Sequence, residues 1–155
     1  MKNHYCLNPG EFFVSQQLAE NRPELNLYYP LKDQGCDLLA LNQDGSRIVK
    51  IQVKESRTYP KKRCSWHQVK KEKIEAADVF VFVTYVPAKS RERLEFETQF
   101  IVIPGKDLRE MCSLKTTSKG KYSFYFIKRD NGVWEERETG EPRDVTKYFG
   151  AWNLI

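Results

Sequence analysis

The sequence predicts a single α/β domain whose mixed β-sheet is flanked by helices and has two parallel strands at its centre. Residues 78–85 (DVFVFVTY) form an apolar run without polar alternation, which is typical of a strand buried on both faces. Residues 65–77, directly before this run, have apolar side chains at helical spacing, and residues 47–54 have a strand pattern. A strand, a helix and a buried strand in this order form a crossover between parallel strands.

The length and composition are those of one globular domain. The chain has 155 residues, of which 40% are hydrophobic and 30% are charged. This is enough to bury a core without disulfides or metal ions. We assign residues 1–155 to one domain, with a core over residues 8–105 and a C-terminal extension over residues 106–155.

Scattered cysteines and the lack of a long apolar run favour a cytoplasmic protein. The longest apolar run, residues 79–83, is far too short to cross a bilayer, and residues 1–13 do not have the pattern of an export signal. The four cysteines include no Cys-x-x-Cys pair, which argues against a structural zinc site. Free thiols fit a reducing compartment, so we expect neither export nor a membrane partner.

The positive charge is concentrated in one segment. The net charge of the chain is +5, whereas residues 54–73 alone carry +6 because they contain eight basic and two acidic side chains. Such a cluster is typical of a surface that binds a polyanion, although a solvated basic surface is the alternative. The residues of this segment that we predict to contact DNA are Arg57, Lys61, Lys62, Arg63, Lys70 and Lys71.

The first elements have clear local signals. Asn8 is a favourable N-cap, Pro9 suits the first helical position, and Glu11 is placed to complete a capping box. This helix should end before Pro23. Three strands are then predicted at residues 25–29, 36–41 and 47–54.

A second helix is predicted from Ser65, with Gln68 completing its capping box. Trp66 and Val69 begin its apolar side, and His67 is placed on the solvent side and outside the site. Beyond the buried strand, a short helix is expected near Lys106. Further strands are expected at residues 99–103, 122–128 and 133–137, with an Asn-Gly turn between the last two.

A predicted hairpin brings three polar residues together. Asp44-Gly45 between two strand-like runs favours a two-residue type I′ turn. With this loop, Asp37 faces Gln52 across the hairpin, and directly opposed residues have Cβ atoms about 4.5–5.5 Å apart. Lys54 lies two positions further along the same face. A loop longer by one residue would destroy this convergence, because strand side chains alternate.

The third strand has one apolar and one polar face. Val49, Ile51 and Val53 should point into the core, whereas the intervening residues from Lys50 to Lys54 should point the other way. The polar face indicates a functional site, and the solvated face of an edge strand is the alternative.

At these residues the sequence resembles the PD-(D/E)xK, or restriction-endonuclease-like, nuclease superfamily. The resemblance rests on Gly10-Glu11, on residues 35–39 (GCDLL), on residues 51–54 (IQVK) and on the buried strand. It covers about the first 105 residues, in the order helix, three strands, helix, strand. The chain is most similar to members with a Gln-x-Lys motif, such as small homing endonucleases of cyanobacterial group I introns.

The resemblance implies a role for each residue. Asp37 would be the main metal-ligating carboxylate, Gln52 would bind through its side-chain carbonyl, and the backbone carbonyl of Val53 would be a further ligand. Lys54 would position or deprotonate the attacking water and stabilise the phosphate. Glu11 would be an outer ligand or orient water, with helix capping as the alternative. Hard oxygen ligands favour Mg²⁺, for which Mn²⁺ could substitute.

The implied function is metal-dependent hydrolysis of phosphodiester bonds in double-stranded DNA. A homodimer or higher homo-oligomer is expected, since cutting both strands needs two active sites. Gln52 stands where most members have a carboxylate, so the alternative is a non-catalytic DNA-binding protein that keeps the nuclease fold. A third alternative is an α/β protein whose basic cluster only makes it soluble.

Overall fold

The computed structural model describes residues 7–30, 35–59, 64–87, 96–137 and 141–155. Within this part of the chain there are two α-helices, α1 (Pro9–Asn21) and α2 (Gly105–Ser113). The strands are β1 (Asn26–Tyr28), β2 (Leu38–Leu41), β3 (Ile48–Tyr59), β4 (Cys64–Lys70), β5 (Val79–Pro87), β6 (Phe96–Pro104), β7 (Lys121–Lys128), β8 (Trp134–Glu136) and β9 (Arg143–Asp144). Short 3₁₀ turns span Lys71–Lys73, Thr146–Tyr148 and Trp152–Leu154.

The long strand β3 belongs to two sheets. In the first sheet the order is β1-β2-β3-β5-β6, and in the second it is β3-β4-β7-β8-β9. β3 and β5 run parallel, from Ile51 beside Val79 to Arg57 beside Tyr85, and the other pairs are antiparallel. The predicted mixed sheet with a central parallel pair is confirmed.

The predicted second helix is wrong. Residues 64–70 form β4, which pairs with β7 from Cys64 beside Ile127 to Lys70 beside Lys121, and only the turn Lys71–Lys73 is helical. The apolar spacing that indicated a helix also fits a strand, because Val69 points inward and Trp66 lies on the outer face. His67 is consequently 2% exposed rather than solvated. The crossover from β3 to β5 therefore runs through a strand of the second sheet.

The first helix matches its prediction. The Asn8 backbone N–H donates to Glu11 Oε2 at 3.3 Å, and the Asn8 side-chain amide donates to Glu11 Oε1 at 3.0 Å. Pro9 occupies the first turn, where its missing N–H has no intrahelical role. Val14 and Leu18 are fully buried against the first sheet. The helix thus begins and ends where its local signals predict.

The hairpin between β2 and β3 has the predicted register but a different turn. Leu38 pairs with Ile51 and Leu41 with Ile48, as a loop centred on Asp44-Gly45 requires. The loop nevertheless has four residues, because the N–H of Asn42 donates to the carbonyl of Arg47 and the N–H of Gly45 donates to the carbonyl of Asn42. Gly45 has φ +70°, and Asp44 does not have the positive φ that a type I′ turn needs. The predicted two-residue loop and the observed four-residue loop are both centred on Asp44-Gly45, so the pairing of β2 with β3 is the same for both.

Two hydrophobic cores lie on opposite faces of the first sheet. The first core contains α1 together with inward side chains of β2, β3 and β5, such as Ile51 and Val81. The second core lies between the two sheets and contains Phe82 of β5, Phe126 of β7 and Trp134 of β8. The polar face of β3 is turned toward this second core. No helix in the described ranges is long and apolar enough to span a membrane.

Candidate active site

Asp37 lies directly before β2 and is fixed by contacts with β3. Its backbone N–H donates to the carbonyl of Ile51 at 2.8 Å, and its Oδ2 accepts the N–H of Val53 at 2.7 Å. The side-chain amide of Gln52 donates to the same carboxylate oxygen. The structure therefore brings the side chains of Asp37 and Gln52 into contact, although the paired residues end at Leu38 and Ile51 and the Asp37 N–H bonds to Ile51 rather than to Gln52.

Gln52 is buried, and among the described residues only the nitrogen of its side-chain amide has hydrogen-bond partners. It is 2% exposed, and its Nε2 also lies 3.4 Å from the carbonyl of Val53. Its Oε1 has no hydrogen-bond partner among the described residues. Such an atom costs about 1–3 kcal/mol when it is left unpaired. A buried amide oxygen beside a carboxylate is suited to accept a cation.

Lys54 lies on the same face as Gln52, at the next outward position of β3. In the parallel ladder Gln52 lies beside Phe80 and Lys54 beside Phe82, and both phenylalanines belong to the second core. The Lys54 side chain is partly buried.

Glu11 caps the first helix and also feels the charges of two predicted site residues. It closes the capping box of α1 with Asn8. Burial raises the pKa of Glu11, and its hydrogen bonds with Asn8 lower it. Smaller contributions to this pKa come from the charge of Asp37, which raises it, and from that of Lys54, which lowers it. A capping glutamate therefore lies within electrostatic range of both site residues.

Glu55 joins the first helix to the sheet. Its carboxylate accepts the N–H of Gly10 at 3.0 Å and the hydroxyl of Tyr85 at 2.8 Å. A Cβ at Gly10 would lie 3.0 Å from Glu55 Oε2, so glycine allows this approach. Glu55 points away from Lys54, as strand alternation predicts. The contact anchors the start of α1 to β3 on the face opposite to Lys54, where Val14 and Leu18 pack against Ile51 and Val53.

The donors present fit a magnesium-type ion. The Asp37 carboxylate, the unpaired Gln52 oxygen and the carbonyl of Val53 are hard oxygen donors, with Glu11 nearby. Within the described ranges there is no cluster of three or more His, Cys, Asp or Glu side chains that could hold a metal ion. Mg²⁺ does not need one, because it retains several waters and takes one or two carboxylates plus substrate phosphate.

The sequence did not reveal His67 as a neighbour of the site. Its Nε2 lies 3.1 Å from Ser65 Oγ, and Ser65 Oγ lies 2.9 Å from Thr84 Oγ1. Burial lowers the pKa of His67 to about 3, a backbone contact with Lys54 works in the opposite direction, and the Lys54 charge lowers it further. The alternation of Ser65, His67 and Val69 is the local signal that fits a buried strand face, whereas the spacing of Trp66 and Val69 predicts a helix.

The structure describes part of the basic segment, residues 54–73. Lys70 ends β4 and lies directly opposite Lys121 of β7, and Lys71 donates its N–H to the carbonyl of Gly120 at 2.9 Å. Lys121 was not predicted, because it lies far along the chain. Arg57 lies on β3. The other predicted DNA contacts, Lys61, Lys62 and Arg63, lie outside the described residues.

The outward Lys70–Lys121 pair needs a compensating partner. Like charges directly opposed on neighbouring strands repel each other. Glu72, 3.5 Å from Lys70, offsets part of the repulsion across an exposed pair. A bound polyanion would offset more of it.

The sheet order, the central parallel pair and the polar hairpin together define an endonuclease-like α/β core. The chain is similar to the solved structure of the bacterial homing endonuclease I-Ssp6803I, with a TM-score of 0.53, 24% sequence identity and coverage of 92% of this chain and 86% of that chain. No protein-family model matches the chain. No curated protein matches it either.

Proposed function

We propose that this protein is a metal-dependent endonuclease that hydrolyses phosphodiester bonds in double-stranded DNA. The observation that carries the proposal is the convergence of Asp37, Gln52 and Lys54 on one face of the β2–β3 hairpin. The same chain has a fold similar to that of a homing endonuclease. The resemblance to the PD-(D/E)xK nucleases supports the same assignment of roles.

Asp37, Gln52 and Val53 would hold Mg²⁺ or Mn²⁺ through a carboxylate, an amide and a backbone oxygen. The ion would polarise the phosphate and lower the pKa of a bound water. Lys54 donates from its ammonium to a phosphate oxygen and stabilises the negative charge that develops there. Glu11 orients the attacking water through its carboxylate.

The DNA would lie along the basic segment. Lys70 and Lys71 neutralise phosphates, together with Arg57 and with Lys61, Lys62 and Arg63. Lys121, brought opposite Lys70, extends this surface. Phosphate contacts of this kind position the protein without reading sequence. Two copies of the chain would be needed to cut both strands of a duplex.

The test is cleavage of supercoiled DNA with Mg²⁺, with Mn²⁺ and with neither ion. Asp37→Ala should abolish both Mn²⁺ binding and cleavage. Lys54→Ala should lower the rate by about 10² or more, as loss of a preorganised electrostatic group does. Its DNA affinity in Ca²⁺ should remain, because one phosphate contact is a small part of the interface.

Lys106→Ala, which removes an exposed lysine of α2, is the matched control and should cleave normally. Unchanged cleavage by Lys54→Ala would refute the mechanism.

A second function, DNA binding without cleavage, is favoured by one contact. The Gln52 amide donates to the Asp37 oxygen that a metal ion would use, and a neutral amide attracts a cation less than a carboxylate does. Gln52→Glu adds a negative charge beside Asp37 and should preserve or tighten metal binding. An inert wild type together with a cleaving Gln52→Glu variant would establish the non-catalytic function. Cleavage by the wild type would exclude it.

A further inference from the structure

A buried polar cluster lies between the two sheets. Ser65 and His67 of β4 and Thr84 of β5 are each at most 2% exposed. Ser65 Oγ lies 2.9 Å from Thr84 Oγ1 and 3.1 Å from His67 Nε2. A chain of hydrogen bonds thus runs from the centre of the first sheet to the imidazole. Buried polar networks of this kind specify one arrangement of the side chains around them.

Two aromatic rings pack against the imidazole and also against each other, since the ring centroids of Phe82 and Phe126 lie 5.0 Å apart. The ring centroid of His67 lies 5.2 Å from that of Phe82 in an edge contact, and 5.7 Å from that of Phe126. The ring therefore has little freedom to move. Its Nε2 lies 3.1 Å from Ser65 Oγ and 3.5 Å from Thr84 Oγ1.

The cluster lies next to Lys54, because β5 pairs with β3 at this point. Phe82, which contacts the imidazole, is the neighbour of Lys54 in the parallel ladder. Thr84 is the neighbour of Ser56, two residues further along β3. Both the backbone and the charge of Lys54 act on the pKa of His67, so the lysine and the imidazole lie within electrostatic range. The ring is neutral at neutral pH and can pack beside the ammonium without repelling it.

We propose that His67 is a positioning residue for Lys54. Ser65 and Thr84 hold the imidazole in one orientation, and the imidazole supports β3 at Lys54 so that the ammonium is presented to the phosphate. His67 does not touch the substrate. The inference rests on the proposed function, in which Lys54 acts on the phosphate.

The test begins with three variants. His67→Phe keeps a ring beside Phe82 and Phe126 but removes both nitrogens. Ser65→Ala keeps the imidazole and removes the nearer of the two partners of Nε2, leaving Thr84. His67→Gln keeps a polar end that can reach Ser65 and serves as the conservative rescue.

The first measurements are the single-turnover rate on saturating DNA with Mg²⁺, DNA affinity with Ca²⁺, and the melting temperature. His67→Phe should lower the rate by at least about tenfold, because small displacements of a catalytic group have large effects. Its DNA affinity should stay within about twofold, since phosphate contacts elsewhere dominate it. His67→Gln and Ser65→Ala should fall between this variant and the wild type. A normal rate in all three would refute the proposal.

A double-mutant cycle separates positioning from a general structural effect. On the Lys54→Ala background, His67→Phe should cause no further loss of rate, because its effect passes through the missing ammonium. Equal losses on both backgrounds would overturn the proposal. If His67→Phe lowers the melting temperature, the same cycle is measured with Ser65→Ala in its place, because that substitution is a smaller change.

A readout that does not depend on activity completes the test. In protein with ¹³C-labelled lysine, the ε-methylene signal of Lys54 is identified by its absence in Lys54→Ala. This signal should shift in His67→Phe and return toward its wild-type position in His67→Gln. A signal that does not move would refute the positioning role. An inert wild type whose Lys54 signal responds to His67 would instead contradict the proposed function and leave the positioning contact established.

Discussion

Substitution of His67 by Phe should remove about 2 kcal/mol of pH dependence from the free energy of unfolding between pH 7 and pH 5. Burial lowers the pKa of this histidine from 6.5 to about 3 in the folded chain. Between these values the unfolded chain binds a proton that the folded chain does not. The stability that the neutral ring contributes is therefore present above pH 6.5 and is lost as the pH falls, by about 1.4 kcal/mol per unit.

The magnitude depends little on the folded pKa. At pH 5 the unfolded histidine is almost fully protonated, and the folded one is neutral for any pKa below about 4. The assay is urea unfolding of the wild type and of His67→Phe at pH 7, 6 and 5. The difference between the two curves isolates this residue, because every other titratable group is common to both proteins. Parallel curves would show that the imidazole is solvated, and would refute the placement of β4.

Three further predictions concern the basic surface, the chain before the hairpin and the second core. Replacing Lys70 and Lys71 together by Gln should flatten the dependence of log Kd on log salt by up to about 2, from about 0.9 per phosphate contact; an unchanged slope would place the DNA elsewhere. Gly35→Ala should lower the free energy of unfolding in urea by more than about 1 kcal/mol, since Gly35 has φ +93° and the new Cβ would lie 2.5 Å from the Cβ of Ala76. Lys115→Met should cost about 3–5 kcal/mol, because the buried carboxylate of Glu136, 2.8 Å away, loses its ammonium partner, and adding Glu136→Leu should recover much of the loss; no recovery would mean that the ion pair itself stabilises the core.

The convergence of the site was predictable because it depends on a short hairpin. The prediction used a two-residue loop, whereas the structure has four loop residues centred on the same position. Extending a hairpin loop by one residue on each side leaves every other pair intact, so Asp37 still meets Gln52. The wrong turn type did not matter, because the alternation of β3 had already placed Gln52 and Lys54 on one face.

The strand β4 was not predictable from local pattern. Trp66 and Val69 are three residues apart, a spacing that fits one face of a helix and equally fits opposite faces of a strand. Pairing with β7 decides that this segment is a strand, because seven residues of β7, from Ile127 to Lys121, pair with β4. A segment with ambiguous spacing adopts the structure that satisfies its backbone hydrogen bonds in the folded chain.

By itself, the sequence determined the first helix, the buried central strand and the polar face of the hairpin, whereas the parallel pair was reached through a crossover helix that the structure replaces by β4. Each of these follows from caps, periodicity or turn position within a few residues along the chain. Only the tertiary structure decided that His67 lies buried behind Lys54 and that Lys121 lies opposite Lys70. These neighbours are created by strand pairing between distant segments, and pairing partners are chosen by the burial of whole faces rather than by any local pattern.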